Sequence, residues 1–310
     1  MIIALAGGVG GARLANGLAR ILTPGELTVV VNTGDDFRHL GLHVSPDPDT
    51  VMYTLSGLND AERGWGLAGE SFACMEAVKR LGGEDWFALG DRDLATHLER
   101  TRRLSAGETL SAIIADFCTR LGITQAIVPM SDHLVQTRVH TSEGTLAFQD
   151  YFVRRRCEPA VTGLEFAGAA TARPSAGLTA LMGSDAVRGI IICPSNPFLS
   201  IEPILAVPGI RYWLRNRQAP CVAVSPLIGG KAVKGPAAKM LAELGFEATP
   251  QAIAAQYQGL IDGLVIDAQD AAQAFGPCHV TDTLMRGTAG QERLAREVLN
   301  YLEQISRPTT

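Results

Sequence analysis

Short apolar runs alternate along this chain with segments in which apolar residues recur every three or four positions. The runs are rich in β-branched residues: IIALA, LTVVVNT, QAIVPMS, RGIIICPS, PCVAVS and GLVIDA. Continuous runs of this kind are typical of parallel strands covered on both faces of a sheet. The periodic segments predict helices: ARLANGLARIL, DTVMYTLSG, ESFACMEAVKRLG, LATHLERTRRL, TLSAIIADFCTRLG and AGQERLAREVLNYLEQI. The alternation predicts an α/β fold with a Rossmann-like, doubly wound and mostly parallel sheet.

One stretch departs from this alternation. The segment VQTRVHTSEGTLAFQDYFV has two extended runs around SEG, which predicts a β-hairpin. With the later LEF, we expect an antiparallel or helical element inserted over roughly residues 134–185. The sheet pattern resumes at Arg188, and no repeat or low-complexity linker interrupts the chain. We therefore expect a single domain over residues 1–310 that carries this insertion.

Composition narrows the class of protein. The 310 residues are 46% hydrophobic, which is ample for a large core, and the net charge is −5 with lysine and arginine spread along the chain. This balance argues against a nucleic-acid surface. No apolar run approaches the roughly 20 residues that cross a bilayer. The six cysteines lack metal-ligand spacing, and several lie in apolar runs, so we expect reduced thiols, no zinc site and a cytoplasmic protein.

The first strand runs directly into the glycine-rich turn GGVGG. The dinucleotide fingerprint G-x-G-x-x-G would need glycine at Gly8, at Gly10 and at position 13, where this chain has Arg13. A P-loop is excluded because no Gly-Lys-Ser/Thr follows. We expect Arg13 to meet an anion at the helix N-terminus, and we expect a side chain at Gly10 to fill the phosphate space. The alternative is a tight strand–helix turn with a surface arginine.

Four carboxylates follow the second strand, in the segment NTGDDFRHLGLHVSPDPDT. They are Asp35, Asp36, Asp47 and Asp49, and they repel one another unless a cation lies between them. Hard oxygen ligands of this kind suit Mg²⁺. The alternative for Asp49 is that it caps the helix beginning at TVMYTL.

Further polar loops follow other apolar runs, and in a doubly wound sheet such loops gather at one edge. GDRDLATH contains Asp91, Arg92 and Asp93, PMSD contains Ser131 and Asp132, and PSNPF contains Ser195 and Asn196. The glycine turn in LIGGKAVKGP carries Lys231 and Lys234 before a predicted helix, which indicates a second anion site. Taken singly, each of these loops is equally consistent with a turn or a helix cap.

Together these segments identify a family resemblance. The chain resembles the CofD family, the 2-phospho-L-lactate transferases of deazaflavin coenzyme biosynthesis, in a series of motifs that runs in order from near residue 1 to about residue 245. The motifs are GGVGGARLANGL, NTGDDFRHLGLHVSPDPDTVMYTL, RGWGLAGESF, WFALGDRDLATHLERT, PMSD, PSNPFLSI and SPLIGGKAVKGPAAKM.

The resemblance implies a reaction between two substrates. A ribityl hydroxyl of the deazaflavin Fo attacks the phosphorus nearest the acid of a guanosine-diphospho-linked three-carbon acid, and GMP leaves. The product is coenzyme F-420 without its glutamate tail, or the dehydro form of that compound. The acid remains open among phospholactate, phosphoenolpyruvate and phosphoglycerate. The resemblance also implies Mg²⁺ and a homodimer.

The resemblance assigns roles to particular residues. Asp35 and Asp49 are the predicted catalytic residues, and Asp35, Asp47 and Asp49 are the predicted magnesium ligands. The residues predicted to bind the nucleotide and its phosphates are Gly8, Gly10, Gly11, Arg13, Ser195, Asn196 and Lys234. Those predicted to face the deazaflavin are Trp65, Asp91, Arg92, Ser131 and Asp132.

Two functions of other classes remain open from the sequence. One is a nucleotide-sugar-binding regulator without turnover, because a similar glycine loop serves such ligands. The other is a nicotinamide oxidoreductase, although the arginine in place of the third glycine argues against it.

Overall fold

The computed structural model describes residues 1–233 and 235–306. The strands among these residues are β1 (Ile2–Ala6), β2 (Leu27–Val31), β3 (Phe37–His39), β4 (Leu42–Val44), β5 (Ala126–Pro129), β6 (Gln136–Thr141), β7 (Gly144–Ala147), β8 (Val161–Ala167), β9 (Gly189–Ile192), β10 (Cys221–Val224), β11 (Leu227–Ile228), β12 (Lys231–Ala232), β13 (Gly263–Asp267) and β14 (Cys278–Thr281).

The α-helices connect these strands and cover the sheet. They are α1 (Gly8–Ile21), α2 (Pro46–Leu55), α3 (Ala73–Arg80), α4 (Asp93–Ser105), α5 (Leu110–Arg120), α6 (Ala176–Met182), α7 (Glu202–Ala206), α8 (Ile210–Asn216), α9 (Ala237–Glu243), α10 (Pro250–Gln256) and α11 (Gly287–Ser306). Short π-helical segments span Asp150–Arg154 and Pro197–Ile201, and 3₁₀ turns span Ala169–Thr171 and Ala268–Gln273. No helix in the described ranges is long and apolar enough to cross a membrane.

Seven strands form the central sheet, in the spatial order β14-β13-β10-β9-β1-β2-β5. All six neighbouring pairs are parallel. The chain proceeds from β1 outward through β2 to β5, and then returns to β9 on the opposite side of β1. Strand order therefore reverses between β1 and β9, and in open α/β sheets the crevice at such a point binds ligands.

The predicted fold class is confirmed, because the apolar runs form the parallel strands. The five residues of β1 are all buried, and their alternation divides them between the two faces of the sheet. Ile3 and Leu5 pack in a core with the inserted sheet and α6 to α8, whereas Ala4 and Ala6 pack in a core with α1, α2, α5 and α11. Burial on both faces explains why these strands are apolar throughout.

The predicted hairpin and its partner strand form a separate antiparallel sheet. Its order is β7-β6-β8, and Thr141 pairs with Gly144 at the hairpin end. The central sheet resumes with β9, after the insertion. The sequence did not predict β14, the β3–β4 hairpin or the short β11–β12 pair. That the whole chain is a single domain stays a prediction.

Candidate active site

A cavity of about 690 Å³ opens at the carboxyl ends of the central strands. It is bordered by the turn after β1, by the acidic loop and helix after β2, by the loop after β9 and by the loop after β10. The inserted element closes one side through Phe148 and Phe152. This cavity therefore lies at the reversal of strand order, where the fold favours ligand binding.

The glycine turn packs closely against the loop that follows β9. A Cβ on Gly10 would overlap the carbonyl oxygen of Pro194, and a Cβ on Gly11 would lie 2.5 Å from Ser195 Oγ. Gly8 is different, because it has φ +63° and its Cβ would have open space. Gly8 and Gly10 border the cavity, whereas Gly11 does not. The expectation for Gly10 was therefore wrong: its missing side chain permits loop packing, and the open space lies at Gly8.

Ser195 and Asn196 border the cavity while holding backbone in place. Ser195 Oγ accepts a hydrogen bond from Gly7 N at 3.1 Å and donates one to Gly7 O at 2.8 Å. Asn196 Oδ1 accepts from the amides of Phe198 and Leu199, which caps the helical turn that follows. These contacts fix the β1 and β9 loops together. Whether the two side chains also bind a nucleotide stays a prediction.

Arg13 projects from the first turns of α1 and borders the cavity. Its side chain is half-buried and makes no hydrogen bond or ion pair with any residue in the described part of the chain. The first turn of α1 has no acidic residue and no side-chain cap. An available guanidinium beside a helix N-terminus is suited to an anion. Lys234, the other predicted anion ligand, lies outside the described residues.

Hydrogen bonds join two acids of the acidic loop to each other through Asn32, and one of them to the glycine turn. Asn32 Nδ2 donates to Asp35 Oδ1 at 3.1 Å and to Asp47 Oδ2 at 2.9 Å. Asp47 Oδ1 accepts from Gly8 N at 2.6 Å. Asp35 and Asp47 are both buried and both border the cavity. The fourth acid, Asp36, faces Ser45 and His43 instead.

Burial makes this carboxylate pair costly to ionise. It raises the pKa of Asp35 well above its usual value, and the charges of Asp47 and Asp36 raise it further. Burial likewise raises the pKa of Asp47 to about 6, against the opposing effect of its hydrogen bonds from Asn32 and Gly8. A divalent cation between the two carboxylates would supply the missing counter-charge, and their oxygens are ligands that Mg²⁺ prefers. Asp35 and Asp47 therefore fit the implied metal.

Asp49 has a cationic partner within the protein. Both of its carboxylate oxygens accept hydrogen bonds from the fully buried guanidinium of Arg100. The helix begins at Pro46 with Ser45 as its N-cap, so the alternative that Asp49 caps it was wrong. Asp49, Asp93 and His97 bring one ligand atom each within 4.8 Å of one another. A metal ion about 4 Å from the positively charged Arg100 guanidinium would be repelled by roughly 4 kcal/mol per unit charge. This triad therefore suits a metal less than Asp35 and Asp47 do.

Aromatic side chains form the lobe of the cavity on the β2 side. Trp86 and Phe87 lie in the segment before α4, and Phe148 stacks on Phe152 with ring centroids 5.3 Å apart. Trp65 borders this lobe with the Arg63 guanidinium 5.1 Å from its ring. Flat apolar walls suit a planar ring system. Of these five residues, only Trp65 was predicted from the sequence. The spacing of Phe148 and Phe152, four residues apart as neighbours on one face of a helix are, is the signal that could have indicated the stacked pair.

Four residues predicted to face the deazaflavin do not border the cavity. Asp91 accepts hydrogen bonds from Ser71, Ala73 and Cys74 at the start of α3. Arg92 donates to the carbonyl of Ala68, and Ser131 donates to the carbonyl of Arg173. Asp132 accepts from the amide and hydroxyl of Ser111 in the first turn of α5. The structure thus gives these side chains contacts within the protein, and their contact with a deazaflavin stays a prediction.

The lobe on the opposite side of β1 is built from other strand ends. It is lined by residues after β10 and β14 and before α9: Ser225, Pro226, Ile228, Val233, Gly235, Pro236, Ala237, Thr283, Leu284 and Met285. The glycine turn, Arg13 and the Asp35–Asp47 pair lie between this lobe and the aromatic one. The cavity can therefore accommodate two ligands that meet at its acidic centre.

Comparison with known proteins identifies relatives that match nearly the whole chain. A phosphoenolpyruvate transferase of Kitasatospora aureofaciens is 44% identical, and the match covers 98% of each chain. A 2-phospho-L-lactate transferase of Methanosarcina mazei is 39% identical, over 96% of this chain and 99% of that protein. A crystal structure of a UPF0052 family member from Bacillus halodurans has a TM-score of 0.62 at 14% identity, over 96% of this chain and 98% of that one, and so shares the fold.

The family follows from the extent of the match. Residues 2–280 match the sequence profile described as 2-phospho-L-lactate transferase CofD. That range includes the glycine turn, the acidic loop, the aromatic lobe and the loops after β9 and β10, and it ends within β14, before the last residues that border the cavity. The resemblance found in the motifs is thereby confirmed, and the chain belongs to the CofD family of transferase enzymes.

Proposed function

We propose that this enzyme transfers a phospho-three-carbon-acid group from a guanosine-diphospho donor to the deazaflavin Fo, as a step in coenzyme F-420 biosynthesis. The observation that carries the proposal is the joining of three features in one cavity: an aromatic lobe, a central anion site and a second lobe at the β10 and β14 ends. A transfer between two substrates requires such a shared space, because both reacting atoms must be in contact.

The aromatic lobe suits the acceptor. The tricyclic ring of Fo packs between Trp86, Phe87 and the stacked pair Phe148 and Phe152, which exclude water from its faces. The ribityl chain then extends toward the acidic centre.

Relatives with phosphoenolpyruvate transferase and 2-phospho-L-lactate transferase names support the same class of reaction for this chain.

The centre and the opposite lobe suit the donor. The diphosphate lies at the open face of Gly8, where Arg13 offers paired N–H donors to its oxygens. The guanosine extends into the lobe formed by residues such as Ser225 and Thr283. Mg²⁺, held by Asp35 and Asp47, would neutralise the phosphate oxygens and orient them for attack.

Transfer at this centre is a single displacement at phosphorus. An acceptor hydroxyl oxygen forms a bond to the phosphorus nearest the acid, the bond from that phosphorus to the bridging oxygen breaks, and GMP leaves with that oxygen. The hydroxyl proton passes to a carboxylate. Asp35 suits that role better than Asp49, because both oxygens of Asp49 already accept hydrogen bonds from Arg100. The remaining expectations, a homodimer and a cytoplasmic location, stay predictions.

Ligand titrations test the assignment of the two lobes. Fo fluorescence and GDP calorimetry should each show saturable binding, and either ligand should bind in the presence of the other. NAD should not bind to the protein, and it should not displace bound GDP. Mutually exclusive binding of Fo and GDP, or tight binding of NAD, would contradict the proposal, whereas binding of a nucleotide sugar without any turnover would favour a regulatory protein.

A further inference from the structure

Of the three charged residues of the motif GDRD, one borders the cavity. Asp91 and Arg92 are occupied by contacts outside the cavity, as described above, whereas Asp93 borders it. Asp93 is the first residue of α4 and is 7% exposed. A carboxylate that is nearly buried yet borders a ligand cavity is available to a ligand rather than to bulk water.

One oxygen of Asp93 is fixed by the protein and the other is free. Tyr53 Oη donates to Asp93 Oδ1 at 2.6 Å, and His97 Nε2 lies 3.4 Å from the same oxygen. Arg100 Nη1 lies 3.2 Å from His97 Nδ1, and because a guanidinium only donates, Nδ1 accepts in this contact. Oδ2 accepts no hydrogen bond from any residue in the ranges that the structure describes.

Asp93 also borders the cavity that contains both parts of the acceptor's path. Trp86 and Phe87, which form the aromatic lobe, precede it in the same connecting segment. A carboxylate oxygen of Asp93 lies within 4.8 Å of one of Asp49, which is in the same first turn of α2 as Asp47, the partner of the glycine turn. A group bound at Asp93 therefore shares the cavity with the aromatic rings and is close to the acids of the phosphate centre.

We infer, on the basis of the proposed function, that Asp93 Oδ2 accepts a hydrogen bond from a hydroxyl of the acceptor's polyol chain. The hydrogen bond from Tyr53 holds the carboxylate in the orientation that this bond requires. Asp93 binds and orients the chain, so that its reacting hydroxyl points toward the phosphorus, and it exchanges no proton in this role. The ring is recognised by the aromatic lobe, and the polyol is recognised separately by Asp93.

Two acceptor analogues separate these forms of recognition. Fo carries the polyol, whereas a 10-methyl-5-deazaflavin has the same ring without hydroxyls. In Asp93→Asn we expect the dissociation constant for Fo to rise at least tenfold, because a hydrogen bond to a charged group is lost, while that for the methyl analogue stays within about twofold. Glu99→Gln, on the exposed side of the same helix, should leave both constants unchanged.

A second variant keeps the inference testable if Asp93→Asn fails to fold. Tyr53→Phe removes the donor to Oδ1 and should weaken Fo binding by about two- to tenfold, again without affecting the methyl analogue. Fluorescence titration gives all these constants. Equal weakening of both ligands by Asp93→Asn, or unchanged Fo binding, would overturn the role of Asp93. If the parent protein binds the methyl analogue as tightly as Fo, the polyol is not recognised, and if it binds neither, the proposed acceptor itself is wrong.

Discussion

Asp47 and Gly8 are 39 residues apart in the chain, and the Gly8 amide donates to Asp47 Oδ1 at 2.6 Å. This bond connects the helix after β2 to the glycine turn after β1. It places a carboxylate proposed to bind Mg²⁺ beside the backbone proposed to bind phosphate. Metal and phosphate would therefore meet where a main-chain hydrogen bond holds the Asp47 side chain in place.

The first prediction concerns Asp35. Its Oδ1 accepts from Asn32 and its carboxylate borders the cavity, so Asp35→Asn should weaken Mg²⁺ binding and lower kcat by roughly 100-fold or more. Asp36→Asn changes the neighbouring acid, whose Oδ2 instead accepts from Ser45 at 2.7 Å, and should alter the magnesium dependence by only a few-fold. The measurement is transfer rate against Mg²⁺ concentration, and full activity of Asp35→Asn, or of the parent protein in excess EDTA, would refute this assignment.

The second prediction concerns stability and pH. Burial raises the pKa of Asp47 to about 6 in the folded protein, from an ordinary value of 3.8. Between these values the folded state holds a proton on Asp47 that the unfolded chain releases, so the contribution of Asp47 to the free energy of unfolding should fall as pH rises from about 4 to about 6, by at most about 3 kcal/mol. Added Mg²⁺ should reduce that loss, because it favours the ionised pair.

Urea unfolding in EDTA at several pH values gives this profile. Asp47→Asn removes one of the two buried titrating carboxyl groups and should make the profile less steep than that of the parent protein, while Asp35 continues to contribute. If the two proteins lose stability equally between pH 4 and 6, the pKa of Asp47 is not raised by folding, and the prediction is wrong.

The third prediction separates two glycines of the same turn. Gly10→Ala places a Cβ against the Pro194 carbonyl and should lower the free energy of unfolding by about 1–3 kcal/mol. Gly8→Ala meets no atom, so its cost in stability is only the left-handed backbone, about 1–2 kcal/mol, but its methyl group enters the cavity. We expect Gly8→Ala to raise the KM for the donor while Gly10→Ala leaves the donor KM of the folded fraction near that of the parent protein. The reverse pattern in unfolding and kinetic measurements would contradict the geometry of the turn.

The fourth prediction concerns the guanidinium of Arg13. Arg13→Gln should weaken GDP binding by at least tenfold, and Arg13→Lys should restore part of the loss because the charge remains without the paired donors. Arg20→Gln is the matched control, since Arg20 lies on the same helix and pairs with Glu292 away from the cavity. Calorimetry with GDP and GMP measures the effect. GDP binding that is indifferent to Arg13→Gln would leave the arginine without a role in the anion site.

The strands were predictable because burial on both faces leaves a direct trace in the sequence. The run IIALA is apolar at every position, and each residue of β1 is buried. Short elements such as β3, β4 and β14 leave no such trace, because three or four residues with mixed burial resemble loops. The first turn of α2 was missed for a related reason: PDPD resembles a loop, although proline is tolerated in the first turn of a helix.

The sequence predicted site residues where several acidic residues follow one strand, and it predicted fewer where a residue's role depends on contacts that only the fold creates. Asp35 and Asp47 stand out as acids after a strand, and the structure places both on the cavity. Asp91 and Asp132 look equally polar, but their oxygens accept bonds from backbone at helix starts. The buried Arg100, 51 residues after its partner Asp49, is an ordinary helix residue in the sequence. Only the fold shows which carboxylate has a guanidinium beside it.

Product analysis tests the central claim most directly. The protein would be mixed with Mg²⁺, Fo and each of three donors in which GMP is joined through a diphosphate linkage to the phospholactyl, phosphoenolpyruvyl or phosphoglyceryl group, and the products identified by mass. We predict GMP together with Fo carrying the phospho-acid, from at least one of the three donors, and no product when Fo or Mg²⁺ is omitted. Absence of both products with all three donors, from protein that binds Fo and GDP, would contradict the account.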